Sequence, residues 1–266
     1  MNESLTADFI ANWLKLYCNQ SGMQGFVVGV SGGIDSAVTS TLCALTGKDV
    51  ILLELPIHQA ASQVSRAREH IQWLENQYAN VQSRCIDLTF SFESLKSSLP
   101  VFDGSENLRQ LAEANTRARL RMTTLYYVAG MNRMLVAGTG NKIEDFGVGF
   151  YTKYGDGGVD ISPIADLMKS EVFAIGKFLG VCESILTAAP TDGLWGDDRT
   201  DEDQLGASYD ALEWAMQYSM ISDHDDSNLS TEQQQTLHLY RRLQAANQHK
   251  MQPIPVCVIP DDLRRV

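Results

Sequence analysis

Phe26-Val27-Val28-Gly29-Val30-Ser31-Gly32-Gly33-Ile34-Asp35-Ser36 decides the fold. The stretch opens on a continuous apolar run, Phe26 to Val30, that is too short for a helix and reads as a buried strand. It turns through Ser31-Gly32-Gly33 and then takes up helical apolar spacing through Leu45, with Gly47 placed to end the helix. A strand that feeds a helix through a glycine turn is half of a βαβ unit.

The neighbouring segments repeat that alternation. Val50 to Leu55 reads as a second buried strand, and Val64, Ile71, Leu74 and Tyr78 mark the next helix. Arg84-Cys85-Ile86-Asp87-Leu88 suits a third strand, a long helix is expected from about Leu108 to Asn132, and Met134 to Ala137 suits another strand. Upstream, Leu5, Phe9, Trp13, Leu14 and Tyr17 have helical spacing that stops near Gly22. Strands alternating with helices of a dozen or more residues imply a doubly wound α/β fold, with a mostly parallel sheet and helices on both faces. From Gly138 to Gly158 the chain is Gly-rich and polar with little periodicity, which inside a compact domain marks a functional or mobile loop. A helix is expected from Asp166 to about Leu179, then a loop from Pro190 to Gly196, one or more helices in the acidic last third, and a closing segment from Pro253 to Pro260. No internal repeat or low-complexity linker interrupts this, so residues 1–266 are expected to form one domain.

Composition narrows the partners. Hydrophobic residues make up 44% of the 266, enough for a core, and 33 Asp+Glu against 21 Lys+Arg give a net charge of −12. Such a surface repels nucleic-acid backbones, so any phosphate has to be held by local devices. No basic segment leads into an apolar one at the N-terminus, and no run approaches the ~18 apolar residues of a membrane span. The cysteines at 18, 43, 85, 182 and 257 are odd in number, scattered and never in a C-x-x-C pair, which argues against disulfides and zinc. They are expected to be small core residues of a protein in the reducing cytoplasm.

Gly29 to Ser36 then acquires a chemical reading. At the C-terminal edge of a parallel sheet, two glycines let backbone approach a phosphate, and the first helical N–H groups face it. Ser31 and Ser36 add hydroxyls, and Asp35, an acid where anions are attracted, suits a magnesium ligand. There is no G-x-x-x-x-G-K-[ST], so this is not a Walker loop; a plain Gly-Gly turn capped by Asp35 or Ser36 is the alternative. Gly138-Thr139-Gly140-Asn141-Lys142-Ile143-Glu144 follows a strand onto the same edge, where a hydroxyl and a carboxylate could meet a nucleotide and its metal, or Asn141 could simply cap a turn. Tyr151-Thr152-Lys153-Tyr154-Gly155-Asp156-Gly157-Gly158-Val159-Asp160 suits a flap over a nucleotide, or a plain turn. In Asn115-Thr116-Arg117-Ala118-Arg119-Leu120-Arg121, Arg117 and Arg121 share nearly one helix face while Arg119 points about 200° away, so the three cannot serve one ligand; a solvated face with ion pairs is the alternative.

Ser31-Gly32-Gly33-Ile34-Asp35-Ser36 resembles the SGGxDS signature of the ATP pyrophosphatase, or PP-loop, superfamily, whose fold is adenine nucleotide alpha-hydrolase-like. With the three segments above, Pro190-Thr191-Asp192-Gly193-Leu194-Trp195, the Asp201-Glu202…Leu205-Gly206…Tyr209 stretch and His249-Lys250, the chain is similar nearly end to end to the ammonia-dependent NAD synthetase family. The Thr139–Glu144 loop matches one of two family variants, and Asp197-Asp198-Arg199 is an unusual continuation.

The resemblance implies ATP binding by Gly29, Val30, Ser31, Gly32, Gly33, Ile34, Asp35 and Ser36, joined by Thr139, Lys169 and Thr191. It implies Mg²⁺ held by Asp35 and Glu144, and deamido-NAD held by Arg119, Lys153, Asp160, His249 and Lys250. By itself His249 would read as a surface histidine. The implied reaction is adenylylation of the nicotinate carboxylate, release of pyrophosphate, and attack by ammonia to give NAD and AMP. No protein nucleophile or general base is assigned. A glutaminase domain has no room before the first strand near residue 26, so free ammonia is the expected donor. The resemblance also implies a symmetric homodimer, with Leu108 to Met134 as the expected contact region, and no nucleic-acid or membrane partner. GMP synthetase would want a further C-terminal domain, a tRNA thiolation enzyme reactive cysteines and a basic surface, and a nucleotide sensor would have little need of both Asp35 and Glu144.

Overall fold

The computed structural model describes residues 1–191, 200–221 and 226–264. In chain order it contains α1 (Glu3–Gln20), β1 (Gly25–Gly29), α2 (Ile34–Leu45), β2 (Asp49–Glu54), α3 (Ala61–Gln77), β3 (Val81–Cys85), α4 (Thr89–Ser98), α5 (Glu106–Asn132) and β4 (Leu135–Val136). A π-helical turn (Ile143–Val148) follows, then α6 (Lys169–Phe178), α7 (Glu183–Leu186), α8 (Asp201–Leu205), α9 (Tyr209–Ser219) and α10 (Thr231–Met251).

The strands pair in parallel in the order β3-β2-β1-β4. Alternate residues of β1 and β2 face opposite ways. Phe26, Val28, Val50 and Leu52 pack with α1, α2, α3 and α6, while Val27, Ile51 and Leu53 pack with α4 and α5. Burial on both faces is why these strands are near-continuous apolar runs. The expected doubly wound sheet is therefore observed. A third apolar cluster joins the π-helical turn to α8, α9 and α10 through Ile143, Tyr209, Leu212, Met216 and Tyr240. Among the described residues no helix is long and apolar enough to cross a membrane.

The structure moves several expected boundaries. The third strand lies at Val81–Cys85, earlier than expected, because β3 is an edge strand whose Gln82 and Arg84 alternate outward and supply no apolar run. The helix α4 was not expected; within it only Phe92 is buried. The α6 helix begins at Lys169 rather than Asp166, since Met168 is extended and its N–H is taken by the Glu171 carboxylate at 2.9 Å. The Gly138–Gly158 segment contains the π-helical turn. Of the cysteines, Cys18 and Cys43 are buried as expected, but Cys85 and Cys257 are exposed and Cys182 is intermediate.

The strands all present their C-terminal ends to one edge. The chain leaves β1 for β2 on one side and reaches β4 on the other, so the switch point of the sheet lies between β1 and β4. The two glycine-containing loops 30–33 and 137–142 both leave from that point. Truncating the sheet beneath it should be costly. Leu52→Ala, at a fully buried position, should lose about 2–5 kcal/mol of stability. Leu5→Ala, at a 67% exposed position on α1, should stay within about 0.5 kcal/mol. Urea denaturation measures both, and equal midpoints for the two variants would contradict the packing described.

Candidate active site

The loop after β1 is held open by its own hydroxyls. Ser31 N–H donates to Ser36 Oγ (3.2 Å), Ser36 Oγ donates to the Gly33 carbonyl (3.0 Å), and Gly33 N–H donates to Ser31 Oγ (3.3 Å). Gly33 stands at the N-cap of α2 without a side-chain cap, so the helix's first N–H groups are left for a ligand. Gly32 is required by two constraints at once. Its φ is +84°, and a Cβ there would lie 2.5 Å from the Gln63 carbonyl oxygen and 3.0 Å from Ala67 N on α3.

Three charged residues distant in sequence meet beside this loop. Lys169 Nζ, at the start of α6, donates to Asp35 Oδ2 on α2 (2.6 Å) and to Glu144 Oε1 in the π-helical turn (3.0 Å). The Lys169 side chain is only 4% exposed. Burial alone would drive its ammonium to lose the proton, but Asp35 and then Glu144 outweigh that and hold it charged. Burial pushes the Asp35 carboxyl upward, and Lys169 opposes the push. Asn141 Nδ2 donates to the other Asp35 oxygen (3.1 Å), and the Tyr209 hydroxyl donates to Glu144 Oε1 (2.6 Å) and lies 3.3 Å from Asp201 Oδ2. The Lys169 ammonium also lies 4.7 Å from the Tyr209 ring centre. Burial, with Glu144, Asp156 and Asp35 nearby, pushes Asp145 up to about 8. Gly140 makes room for that carboxyl, since a Cβ there would sit 2.2 Å from Asp145 Oδ1.

These residues line one cavity at the sheet edge. All of Gly29 to Ser36 borders it, together with Thr139, Glu144, Lys169 and Thr191. The structure thus brings together every residue expected to meet ATP. Leu53, Leu55, Val64, Met122 and Leu125 give the same cavity an apolar wall. The Asp192–Gly196 part of the expected loop and Asp197-Asp198-Arg199 lie outside the described residues.

The five residues expected to bind deamido-NAD divide. Arg119 Nε donates to the Lys153 carbonyl (3.2 Å), Lys153 Nζ to the His249 carbonyl (2.7 Å), and Lys250 Nζ to the Gly149 and Tyr151 carbonyls (2.8 and 2.9 Å). These four form one cluster joining α5, the 149–160 segment and the end of α10. His249 enters it through its backbone. Asp160 lies apart, accepting from Val136 N–H (2.8 Å) and the Tyr126 hydroxyl (3.0 Å), and borders a shallow groove with Trp13, Tyr17 and Phe146. Of the three arginines of α5, Arg119 turns away from Arg117 and Arg121, as their spacing implies. Arg117 stacks over Phe92, Arg119 takes Lys153, and Arg121 donates to the Leu55 carbonyl and Gln59.

Tyr209, Asn141, Asp145 and Arg66 are site residues to which sequence reasoning gave no role. Tyr209 lies 65 residues from Glu144, and within an amphipathic helix it reads as core. Asn141 reads from sequence as a turn cap and does cap the turn, accepting from Glu144 N–H (3.1 Å), but its bond to Asp35 has no local signal. Nothing in the spacing ties Arg66 to the phosphate loop 34 residues away.

The NAD synthase family model matches residues 6–254. An ammonia-dependent NAD synthetase from Methanococcoides burtonii is 40% identical over 212 residues, 79% of this chain and 77% of that protein. One from Alkaliphilus metalliredigens is 35% identical over 96% of this chain and 99% of its own length. Among solved structures, an NMN synthetase from Francisella tularensis superposes with a TM-score of 0.82 at 30% identity, over 98% of this chain and 99% of that one. A chain matched over that span, with the Ser31-Gly32-Gly33 loop, Asp35 and Glu144 gathered at the switch point of a parallel sheet, belongs to the NAD synthase family.

Proposed function

We propose that the chain is a carbon–nitrogen ligase that makes NAD from nicotinic acid adenine dinucleotide, ATP and free ammonia. The observation that carries this reading is the meeting of Asp35, Glu144 and Lys169 beside an uncapped helix N-terminus within one cavity. A carboxylate cannot be aminated directly because oxide would have to leave. Attack of the nicotinate oxygen on the α-phosphorus of ATP replaces that poor leaving group with AMP and expels pyrophosphate. Ammonia then adds at the acyl carbon, its nitrogen gives up one proton to solvent, and AMP departs with the C–O electron pair.

The protein's part in the first step is positioning and charge neutralisation. The N–H groups of the loop and of α2 would take phosphate oxygens, and the Lys169 ammonium would face the charge that develops on them. Tyr209 and Asn141 fix the two carboxylates that hold Lys169 in place. No side chain on this edge is needed as a nucleophile.

Asp35 and Glu144 suit a magnesium ion. Two carboxylates already converge on one cation, and Mg²⁺ takes one or two carboxylates plus substrate phosphates rather than a closed protein cage. When bound, the ion would neutralise phosphate charge and favour departure of pyrophosphate.

The cluster of Arg119, Lys153 and Lys250 supplies cations for the acceptor's own phosphates, and the 149–160 segment carries both Lys153 and the cavity-lining Phe150 and Asp156. The NMN synthetase among the structural relatives makes nicotinic acid mononucleotide the competing acceptor. Incubation with ATP, Mg²⁺ and ammonium should convert the dinucleotide to NAD with equimolar AMP and pyrophosphate. A higher kcat/KM for the mononucleotide would reassign the acceptor, and ADP in place of AMP would overturn the chemistry. Glutamine in ammonia-free buffer should give no NAD, and full activity there would overturn the nitrogen source.

A symmetric dimer belongs to the same proposal. Leu108, Leu111, Tyr127 and Met131 of α5 are exposed, as are Phe90, Leu99 and Phe102 nearby. Apolar exposure on this scale marks an association surface, and a long helix can pair with itself across a two-fold axis. Light scattering should give twice the chain mass, and Leu108→Lys with Met131→Lys should shift it toward the monomer. A wild-type monomer at micromolar concentration would contradict the proposal.

A further inference from the structure

Arg66 is a cation of the cavity that the reaction described so far leaves without a role. It lies on the first turns of α3, whose backbone presses on Gly32, and its side chain borders the same cavity as Lys169. Its Nε donates to the Gly32 carbonyl at 3.2 Å. Among the described residues that is its hydrogen bond, and no carboxylate lies in ion-pair contact with it. The contrast with its neighbours is informative. Arg68 pairs with Glu54, Arg121 donates to Leu55 and Gln59, and Lys169 is held between two carboxylates. In a chain of net charge −12, an arginine at a cavity wall with its terminal nitrogens uncommitted is suited to an anion brought from outside.

The bond it does make has a consequence for the loop. In a trans peptide the carbonyl and the following N–H point opposite ways. By holding the Gly32 carbonyl on the α3 side, Arg66 turns the Gly33 N–H to the inside of the loop, where it meets Ser31 Oγ at a long 3.3 Å. That N–H is thereby kept for a better acceptor.

We propose that Arg66 is a pyrophosphate-binding residue: its Nε sets the Gly32–Gly33 peptide, and its terminal nitrogens bind the β- and γ-phosphates of ATP and the pyrophosphate that leaves. This rests on the reading of Gly29 to Ser36 as the phosphate site. In the step concerned, the nicotinate oxygen bonds to the α-phosphorus while the bond from the α-phosphorus to the bridging oxygen breaks, that oxygen leaving on the β-phosphorus. The electron pair departs on pyrophosphate, whose added negative charge the guanidinium offsets in a two-pronged contact. No proton has to move.

The test is calorimetric binding of inorganic pyrophosphate with Mg²⁺, and separately of AMP, to the wild-type protein, Arg66→Gln and Arg66→Lys. Wild type should bind both. Arg66→Gln should bind pyrophosphate roughly 10-fold or more weakly with AMP affinity unchanged. Arg66→Lys should fall between, because a lysine restores charge but not the fork. In turnover, Arg66→Gln should relieve product inhibition by pyrophosphate in the same proportion. Unchanged pyrophosphate affinity in Arg66→Gln would overturn the proposal, as would parallel loss of AMP binding and thermal stability, which would make the role structural. Failure of the wild type to bind pyrophosphate while binding AMP would instead overturn the phosphate-loop reading itself.

Discussion

The buried ammonium of Lys169 between Asp35 and Glu144 is the contact on which the rest of the site depends. It ties together the start of α2, the π-helical turn and the start of α6, three elements that share no sequence neighbourhood. Taking three charges out of water is expensive, and their mutual attraction repays it only when geometry and further hydrogen bonds are good. Asn141 and Tyr209 supply those bonds, one to each carboxylate. Removing any one of the three charges would leave the others uncompensated in a buried place, so the group is retained or lost together.

The sheet explains why these groups can meet. Parallel strands place every strand-to-helix loop at one edge, and the order β3-β2-β1-β4 separates the outgoing crossovers between β1 and β4. Loop 30–33 and loop 137–142 then face each other across that gap, and α6 delivers Lys169 from behind. The apolar wall formed by Leu53, Leu55 and Leu125 continues the cavity away from the charges. Polar and apolar halves of one cavity suit a nucleotide, whose phosphates and base have opposite requirements.

What the sequence made legible follows from how local each signal is. The Phe26–Ser36 stretch carries strand, turn and helix in eleven residues, and its reading holds to within one residue at either end of β1. Buried strands announce themselves by apolar runs, whereas the edge strand β3, with Gln82, Ser83 and Arg84 in its middle, does not. The helix α4 hid because one buried residue, Phe92, sets no period. Family resemblance supplied Glu144 and Lys169 as site residues, but the contacts of Lys169 with Asp35, 134 residues away, and with Glu144, 25 residues away, have no local signature. Arg66 and Tyr209 sit on helices whose spacing reads as ordinary packing, so their roles emerge only from the folded chain. Asp160 shows the opposite limit. The resemblance grouped it with Lys153, but the structure sets it on Val136 and Tyr126 and beside the Trp13–Tyr17 groove.

The measurement that tests the central claim most directly is exchange of labelled pyrophosphate into ATP in the absence of ammonia. A reversible adenylylation held by Asp35, Glu144 and Lys169 predicts exchange that requires the nicotinate-bearing acceptor. It also predicts a fall of about 100-fold or more in Asp35→Asn, with the variant still folded. Exchange without any acceptor, or exchange at the wild-type rate in Asp35→Asn, would contradict the account.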